Sequence, residues 1–330
     1  MTVVAPLAEI AEKIRTSRGL AHKEDVSSVM RRLGLANETG TVAIGDDCAA
    51  IPDGDGYLLL AIEGFLDEFV AGEPWFAGYC GVMVNVSDVA AMGGRPMAVV
   101  DAIWSRNGVR AAPVLAGLRA AADTYGVPIV GGHSNSRSDR EQLAVAVLGR
   151  AKRLLTSFDG RSGDAIVAAI DLRGHYREPN PYWDASTGAA PQRLRADLEI
   201  LPDLANTGLV HAGKDISMGG VVGTVLMLLE CSVLGGAIDV TRVPRPEGVP
   251  LDRWLLSFPS FGFVFCVAPS DLDAVVSRFT ARGIACASIG TADQSRVVRL
   301  VDAGQEAMVW DFHARALIGC GTRPNSGGPA

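Results

Sequence analysis

The sequence lacks several patterns that would assign a chemistry at once. Its six cysteines are scattered, and none has the C-x-x-C spacing of a zinc or redox site. There is no G-x-x-x-x-G-K-[ST] phosphate loop, and no G-x-G-x-x-G follows a predicted strand. These absences exclude P-loop and Rossmann-type nucleotide sites, and the cysteine pattern predicts reduced, mostly buried thiols in a cytoplasmic protein.

Basic charge and long apolar runs are also scarce. The formal net charge is -7 and the pI is near 5.3, which argues against nucleic acid as the main partner. The longest apolar helix, predicted for Gly219–Leu234, is interrupted by Glu230 and is shorter than the ~20 residues of a membrane span. Residues 1–14 lack the cationic start and apolar run of a signal peptide. We therefore expect no membrane partner.

The chain is long and apolar enough for one large domain or two ordinary ones, with 330 residues of which 48% are hydrophobic. A polar, turn-rich segment at Arg153–Gly163 marks the predicted boundary. The predicted organisation is a helical extension (1–40), an N-terminal domain (41–152), a C-terminal α+β domain (153–318) and a disordered Gly/Pro/Ser-rich tail (319–330).

Hydrophobic periodicity predicts helices that alternate with strands, which is typical of α/β or α+β domains. Two short amphipathic helices are predicted within residues 6–34. The further predicted helices are 111–125, 192–205 and 270–282, the last with Ser270 as N-cap. The predicted strands are 41–44, 57–62, 97–104, 127–130, 143–148, 164–170, 261–268, 284–290 and 297–301.

The most informative helix is the one that ends at Gly93-Gly94, because its apolar residues leave almost no polar face. Asn85 and Asp88 break this pattern, three residues apart on one side. Burying a carboxylate among apolar side chains costs several kcal/mol of folding free energy unless the carboxylate is paired or holds a metal. A structural ion pair and a functional site are both consistent with Asp88.

Further acidic residues lie at the ends of predicted apolar elements, where α/β folds place their sites: Asp46, Asp47, Glu63 and Asp215. Oxygen ligands of this kind suit magnesium carried with phosphates. The alternative is that these carboxylates are simply solvated. His133, after Gly131 and Gly132, is likewise either a site residue or a hydrogen-bonded turn residue.

Taken together, four motifs resemble the superfamily of aminoimidazole ribonucleotide synthetase, which includes thiamine monophosphate kinase, selenophosphate synthetase and a hydrogenase maturation factor. The resemblance extends from about residue 40 to about residue 315. The motifs are G-D-D-C-A-A at 45–50, N-V-S-D-V-A-A-M-G-G-R-P at 85–96, G-G-H-S at 131–134 and K-D-I-S-M-G-G at 214–220.

The resemblance implies a two-domain α+β fold whose N-terminal strands pair into a barrel across a homodimer. It also implies ATP and Mg²⁺ as cofactors and a small-molecule substrate. By position, the implied metal ligands are Asp46, Asp47, Glu63, Asp88 and Asp215. The implied nucleotide-binding residues are Asp46, Asp47, Asn85, Gly131, Gly132 and Lys214, and the implied catalytic residues are Asp88, Asp215 and His133.

The chain departs from the superfamily pattern at several positions. Glu63 stands where Asp is usual, and His133 resembles selenophosphate synthetase rather than the kinase. No Cys precedes Cys48 to match the selenium enzyme's reactive Cys, and Cys320 is not terminal as in the maturation factor. The helix motif at 85–96 is most like the kinase.

These features predict an ATP- and magnesium-dependent enzyme that phosphorylates or activates a small metabolite. A nucleotide-binding subunit without turnover and a selenophosphate synthetase-like or ligase-like relative are the alternatives. The acceptor-recognising parts, including residues 171–190, show no pattern that assigns them to one member of the superfamily, and so the sequence does not identify the acceptor.

Overall fold

The computed structural model describes residues 6–35 and 42–321, and it divides into two compact units. The larger unit contains the described residues of Met1–Asp46, Leu155–Ala185 and Gly208–Ala330. The smaller unit consists of Asp47–Leu154 and Ser186–Thr207. Each unit is thus assembled from separate stretches of the sequence.

Within the described residues, none of the helices is long and apolar enough to cross a bilayer. The α-helices are α1 Leu7–Arg15, α2 Arg18–Arg32, α3 Asp67–Gly72, α4 Pro74–Ala91, α5 Gly108–Tyr125, α6 Pro191–Leu198, α7 Ile200–Thr207, α8 Gly220–Cys231, α9 Leu251–Trp254 and α10 Leu272–Thr280.

The strands form one sheet in the smaller unit and two in the larger unit. They are β1 Ala49–Asp53, β2 Gly56–Phe65, β3 Arg95–Trp104, β4 Ile129–Asn135, β5 Gln142–Ala151, β6 Ala165–Ile170, β7 His175–Tyr176, β8 Tyr182–Asp184, β9 Ala212–Asp215, β10 Gly235–Asp239, β11 Phe258–Pro259, β12 Gly262–Val267, β13 Ala285–Asp293, β14 Val297–Asp302 and β15 Gln305–Asp311.

The smaller unit is a five-stranded sheet in the order β1-β2-β5-β3-β4, with only the β3–β4 pair parallel. Helix α4 packs on one face of this sheet and is buried along nearly its whole length, as its apolar sequence predicts. Helix α5 crosses α4 closely because two glycines allow it: a Cβ on Gly78 would lie 2.0 Å from the Val114 carbonyl oxygen, and one on Gly117 would lie 1.9 Å from that of Trp75.

The other face of this sheet is apolar and exposed. Alternation along the strands directs Leu59 and Ala61 toward the helices and Leu60 and Ile62 away from them. We call the surface of Ile51, Leu60, Ile62, Val100 and Leu148 the outer apolar face, because strand register places these residues on the same side. Ile62 is 69% exposed there, which is unusual for isoleucine and indicates a surface suited to a partner.

The larger unit is built on a seven-stranded sheet in the order β15-β14-β10-β13-β6-β12-β9, beside a small sheet β11-β8-β7. Its core includes α8, all of whose residues are buried, and also α1 and α2. The backbone of α2 closely approaches the 214–220 motif, since a Cβ on Gly19 would lie 1.9 Å from the Met218 carbonyl oxygen. The N-terminal helices are therefore part of this unit's core rather than an appendage.

Several sequence predictions need correction. Thr41 lies outside the described residues, and residues 42–44 are not a strand; the first strand is Ala49–Asp53. The predicted 131–134 loop is the middle of β4. Ser270 does not cap α10, which follows a 3-10 turn, and the predicted 192–205 helix is two helices.

The predicted tail also differs from expectation at its start, because residues 319–321 pack against the larger unit, while 322–330 lie outside the described residues. The Glu230 carboxylate in α8 accepts backbone N–H groups of Leu317 (2.8 Å), Ile318 (2.7 Å) and Gly319 (3.3 Å). Burial raises the pKa of Glu230, and these donors partly offset the rise. A single carboxylate thus binds the C-terminal turn to the core helix.

Replacing Glu230 by Ala is expected to destabilise the protein by about 3 kcal/mol or more, because buried N–H groups lose their acceptor. Glu230→Gln, which keeps one acceptor oxygen, should cost less. Urea unfolding measures both, with the exposed Glu247→Ala as control. A cost for Glu230→Ala no larger than that of the control would contradict this role.

The same carboxyl group makes stability depend on pH. Because its pKa is raised in the folded chain, the folded state holds the proton more tightly than the unfolded state. The contribution of Glu230 to the free energy of unfolding is greatest in acid. It falls as the pH rises from the ordinary glutamate pKa, about 4.3, through the raised pKa of Glu230 in the folded chain. The stability difference between wild type and Glu230→Gln should shrink over that interval in urea titrations.

Candidate metal site

Two carboxylates of the smaller unit lie close together. Asp88, near the C-terminal end of α4, is only 7% exposed, and Asp47 is half-buried in the segment before β1. Each offers an oxygen, and these two oxygens are within 4.8 Å of one another. Two negative groups this close repel each other unless a cation or a proton lies between them.

Asn85 lies one turn before Asp88 and is completely buried. Its Nδ2 donates to the carbonyl oxygens of Gly81 (2.8 Å) and Val145 (3.0 Å). These two acceptors fix the orientation of the amide, because the flipped amide would place oxygen against oxygen. Its Oδ1 is buried and has no hydrogen-bond partner among the described residues.

This arrangement fits a magnesium ion. Two carboxylate oxygens are the hard ligands that Mg²⁺ prefers, and the ion would remove the repulsion between them. The buried Oδ1 of Asn85 is a hydrogen-bond acceptor with no donor among the described residues. A water bound to a hydrated ion would supply that donor. Asp47, Asp88 and Asn85 therefore form the candidate metal site of the smaller unit.

A row of residues runs across the helix-covered face of the sheet near Asn85. Strand register places Glu63, Val145, Asp101 and Gly132 side by side on β2, β5, β3 and β4. Glu63 is exposed and lies within the strand rather than at its end. With strands about 4.8 Å apart, Glu63 and Asp101 are separated by roughly 10 Å at the backbone.

Asp101 is a candidate that the sequence reading missed. Burial raises the pKa of this half-buried carboxyl group, although its own backbone N–H lowers it in part. A Cβ on Gly132 would lie 2.5 Å from Asp101 Oδ1, so glycine at 132 makes room for the carboxylate. A carboxylate within the otherwise apolar run Met97–Trp104 is the signal that could have identified it.

His133 lies on the opposite side of the sheet. It is in register with Ala102, whose neighbours on β3 at alternate positions include Val100 of the outer apolar face, and its ring is 6.4 Å from that of Trp104. The smaller unit alone therefore does not bring His133 and Asp88 together, and a catalytic role for His133 stays a prediction. Gly131 and Gly132 lie in the exposed strand β4.

Asp46 belongs to the larger unit, where its side chain is 1% exposed. Its Oδ2 accepts the backbone N–H of Ser157 (2.7 Å), and its Oδ1 accepts the Ser157 hydroxyl (2.6 Å). The Lys214 ammonium is 3.7 Å from Oδ1. Both oxygens predicted to bind metal are thus already engaged by protein donors.

Lys214 and Asp215 are consecutive residues of β9, and both are buried. Asp215 is paired in register with Phe263 of β12, and the next residue, Ile216, donates its N–H to Gly262. Alternation along the strand points the two side chains to opposite faces. Lys214 faces Asp46, so Asp215 projects from the other side of the sheet.

Comparisons with known protein families give matches that together cover all four sequence motifs. The models of AIR synthase related protein match residues 45–151 for the N-terminal domain and 145–303 for the C-terminal domain. Uncharacterized protein sll0787 of Synechocystis sp. is 43% identical over 95% of this chain and 98% of its own length. Thiamine-monophosphate kinase of Methanospirillum hungatei is 28% identical over 68% of this chain and 94% of its own.

A solved structure shares the fold. T. maritima PurL complexed with ATP superposes with a TM-score of 0.74 at 19% identity, covering 98% of this chain and 56% of that one. This chain thus spans just over half of the PurL chain, and at this identity the likeness concerns the fold alone. Together, the two family-model matches and the near full-length similarity to sll0787 show that the chain belongs to the AIR synthase related family, with its two-domain α+β fold.

Proposed function

We propose that the chain is a cytoplasmic, ATP- and magnesium-dependent enzyme that phosphorylates or activates a small metabolite. One observation carries this proposal: Asp47 and Asp88 offer carboxylate oxygens within 4.8 Å of each other, beside a buried amide oxygen with no partner among the described residues. Membership of the AIR synthase related family supports it, since relatives of this chain include a kinase and a structural neighbour was solved with ATP.

In this proposal Asp47 and Asp88 would hold the magnesium ion, and the buried Asn85 Oδ1 would accept a hydrogen bond from the hydrated ion. When bound, the ion screens the negative charge of the triphosphate during transfer of the γ-phosphoryl group. Glu63 is proposed as a further carboxylate of this region, because it is in register with Val145, whose carbonyl oxygen accepts from Asn85. Asp215 is also proposed as a nucleotide-binding carboxylate, as the family resemblance implies.

The proposal is tested by measuring ADP release from purified protein with Mg²⁺, ATP and pooled small metabolites. Metabolite-dependent ADP release that disappears when Mg²⁺ is chelated is the expected result. Asp88→Asn should remove this release, whereas Asp123→Asn makes the same charge change at an exposed carboxylate of α5 and should not.

A nucleotide-binding subunit without turnover predicts a different outcome. It would bind ATP tightly with Mg²⁺ and release no ADP with any fraction of the pool. Protein that neither binds ATP nor releases ADP would contradict both forms of the proposal.

We further propose that the protein is a homodimer that buries the outer apolar face. In a twofold dimer each copy would cover the same face of the other, and the sheets could close into a barrel. Burial of large aliphatic side chains that are half exposed in the single chain would supply the driving force. His133 and Trp104, on this side of the sheet, would then lie at or beside the dimer interface.

A further inference from the structure

The segment just before Asp47 is held by an unusually complete set of contacts in the larger unit. Asp46 receives two short hydrogen bonds from Ser157, whose side chain is fully buried, and lies 3.7 Å from the buried Lys214 ammonium. The Ser157 hydroxyl also contacts the Gly213 carbonyl oxygen at 3.3 Å. The bonds from Ser157 hold this carboxylate in place and the nearby ammonium partly neutralises it, so it attracts a cation less than a carboxylate without such contacts would.

Contacts on the other side of Asp46 fix the same segment. Gly45 has φ +113°, and a Cβ there would lie 2.1 Å from Cys320 Sγ, so the thiol packs directly against this glycine. Cys320 follows the turn that Glu230 binds through Leu317 and Ile318. Burial raises the pKa of Cys320 to about 11, which keeps it a neutral packing group.

We propose that Asp46 is a positioning residue rather than a metal ligand: Ser157, Lys214 and Cys320 anchor the Gly45–Asp46 backbone, and this fixes the direction in which the next residue, Asp47, presents its carboxylate to the ion. This inference rests on the proposed function. Asp46 and Asp47 have Cα atoms about 3.8 Å apart, so a small movement of one is transmitted to the other. Residues that orient a ligand typically affect metal affinity by about 10- to 100-fold.

Ser157→Ala removes one donor to Asp46 without changing any charge. If the bonds to Asp46 position Asp47, the Kd for Mg²⁺ rises about tenfold, and an unchanged or lower Kd overturns the inference. Asp46→Asn separates a positioning residue from a ligand, because it removes the negative charge and keeps an oxygen that accepts from the Ser157 hydroxyl. A rise in Kd as large as that caused by Asp47→Asn would make Asp46 a ligand and would also overturn the inference. The measurement is calorimetric titration of Mg²⁺ in the presence of the non-hydrolysable ATP analogue AMPPCP, well below the melting temperature.

Ser186→Ala is the matched control. Its buried hydroxyl also makes two hydrogen bonds, to the hydroxyls of Tyr79 (2.8 Å) and Tyr125 (2.7 Å). Tyr79 lies nine residues before Asp88 on α4, about 13 Å along the helix. This variant should lose comparable stability with an unchanged Kd for Mg²⁺, and a rise equal to that of Ser157→Ala would mean that general destabilisation explains both.

Cys320→Ala is the alternative test if the Ser157→Ala variant does not fold. The Cys320 change loosens the contact with Gly45 and leaves Asp46 and its hydrogen-bond donors intact. A several-fold rise in the Kd for Mg²⁺ supports positioning, and no change contradicts it. Failure of the proposed function is distinguishable, since wild-type protein would then show no Mg²⁺-dependent AMPPCP binding. If wild type binds and Asp47→Asn weakens binding, the function stands, and Ser157→Ala, Cys320→Ala and Asp46→Asn decide the positioning role.

Discussion

Replacing Asp88 by Asn is expected to leave the melting temperature of the ligand-free protein equal or slightly higher, and to remove most of the stabilisation by Mg²⁺ and ATP. The reason is repulsion: Asp47 and Asp88 are mutually unfavourable without a cation and favourable with one. A ligand at 100 times its Kd stabilises by about 2.7 kcal/mol. At roughly 2–4 °C per kcal/mol, wild type should gain about 5–10 °C and the variant little.

A purely structural Asp88 predicts the reverse. Removing one partner of a buried ion pair typically costs about 3–5 kcal/mol, and ligand stabilisation would remain. Thermal melts of wild type and Asp88→Asn, each with and without Mg²⁺ and ATP, separate the two. Asp123→Asn should behave as wild type both with and without Mg²⁺ and ATP, since its carboxylate is exposed on α5.

The sequence predicted best those elements whose burial is nearly uniform. Helix α4 has apolar residues on every side, so the prediction needed no knowledge of its surroundings, and its two polar exceptions, Asn85 and Asp88, are in the candidate site. Strand β6 is likewise buried throughout and was predicted within one residue. In both, local composition and tertiary environment agree.

Exposed strands were harder to predict from the sequence, because the residues of an edge strand need not be apolar. Strand β1 is absent from the predicted strands because it contains Pro52, which an edge strand tolerates but which argues against a strand in the sequence alone. In β4, Gly131-Gly132-His133 resembled a loop, but the backbone pairs with β3. The side of the sheet on which His133 lies depends on register and on a bulge in the β3–β4 pair, and neither can be read from the sequence.

The acidic residues show that a motif does not reveal the environment of each side chain. Asp46 and Asp47 are consecutive and chemically identical, yet one accepts two hydrogen bonds from Ser157 while the other approaches Asp88. Ser157 is 111 residues from Asp46 in the sequence, and no local sequence pattern indicates that the two side chains are hydrogen-bonded. The inclusion of 186–207 in the smaller unit depends on long-range contacts of the same kind.

Replacing Ile62 by Glu is expected to convert the protein from dimer to monomer. Ile62 is 69% exposed in the single chain, on the outer apolar face, and a twofold interface would bury it twice. Losing two buried isoleucines costs about 1.5–3 kcal/mol each, and burying two unpaired charges costs more. A total above about 4 kcal/mol raises the dimer Kd more than a thousandfold.

Light scattering at micromolar concentration measures the result, with a chain mass of 34.6 kDa for the monomer and twice that for the dimer. Val109→Glu is the matched control, because Val109 is 84% exposed but lies at the start of α5, away from the outer apolar face. It should remain dimeric. If wild type is purely monomeric, or if Ile62→Glu stays dimeric while folded, the outer apolar face is not the interface, and a barrel formed across two copies would have to be abandoned.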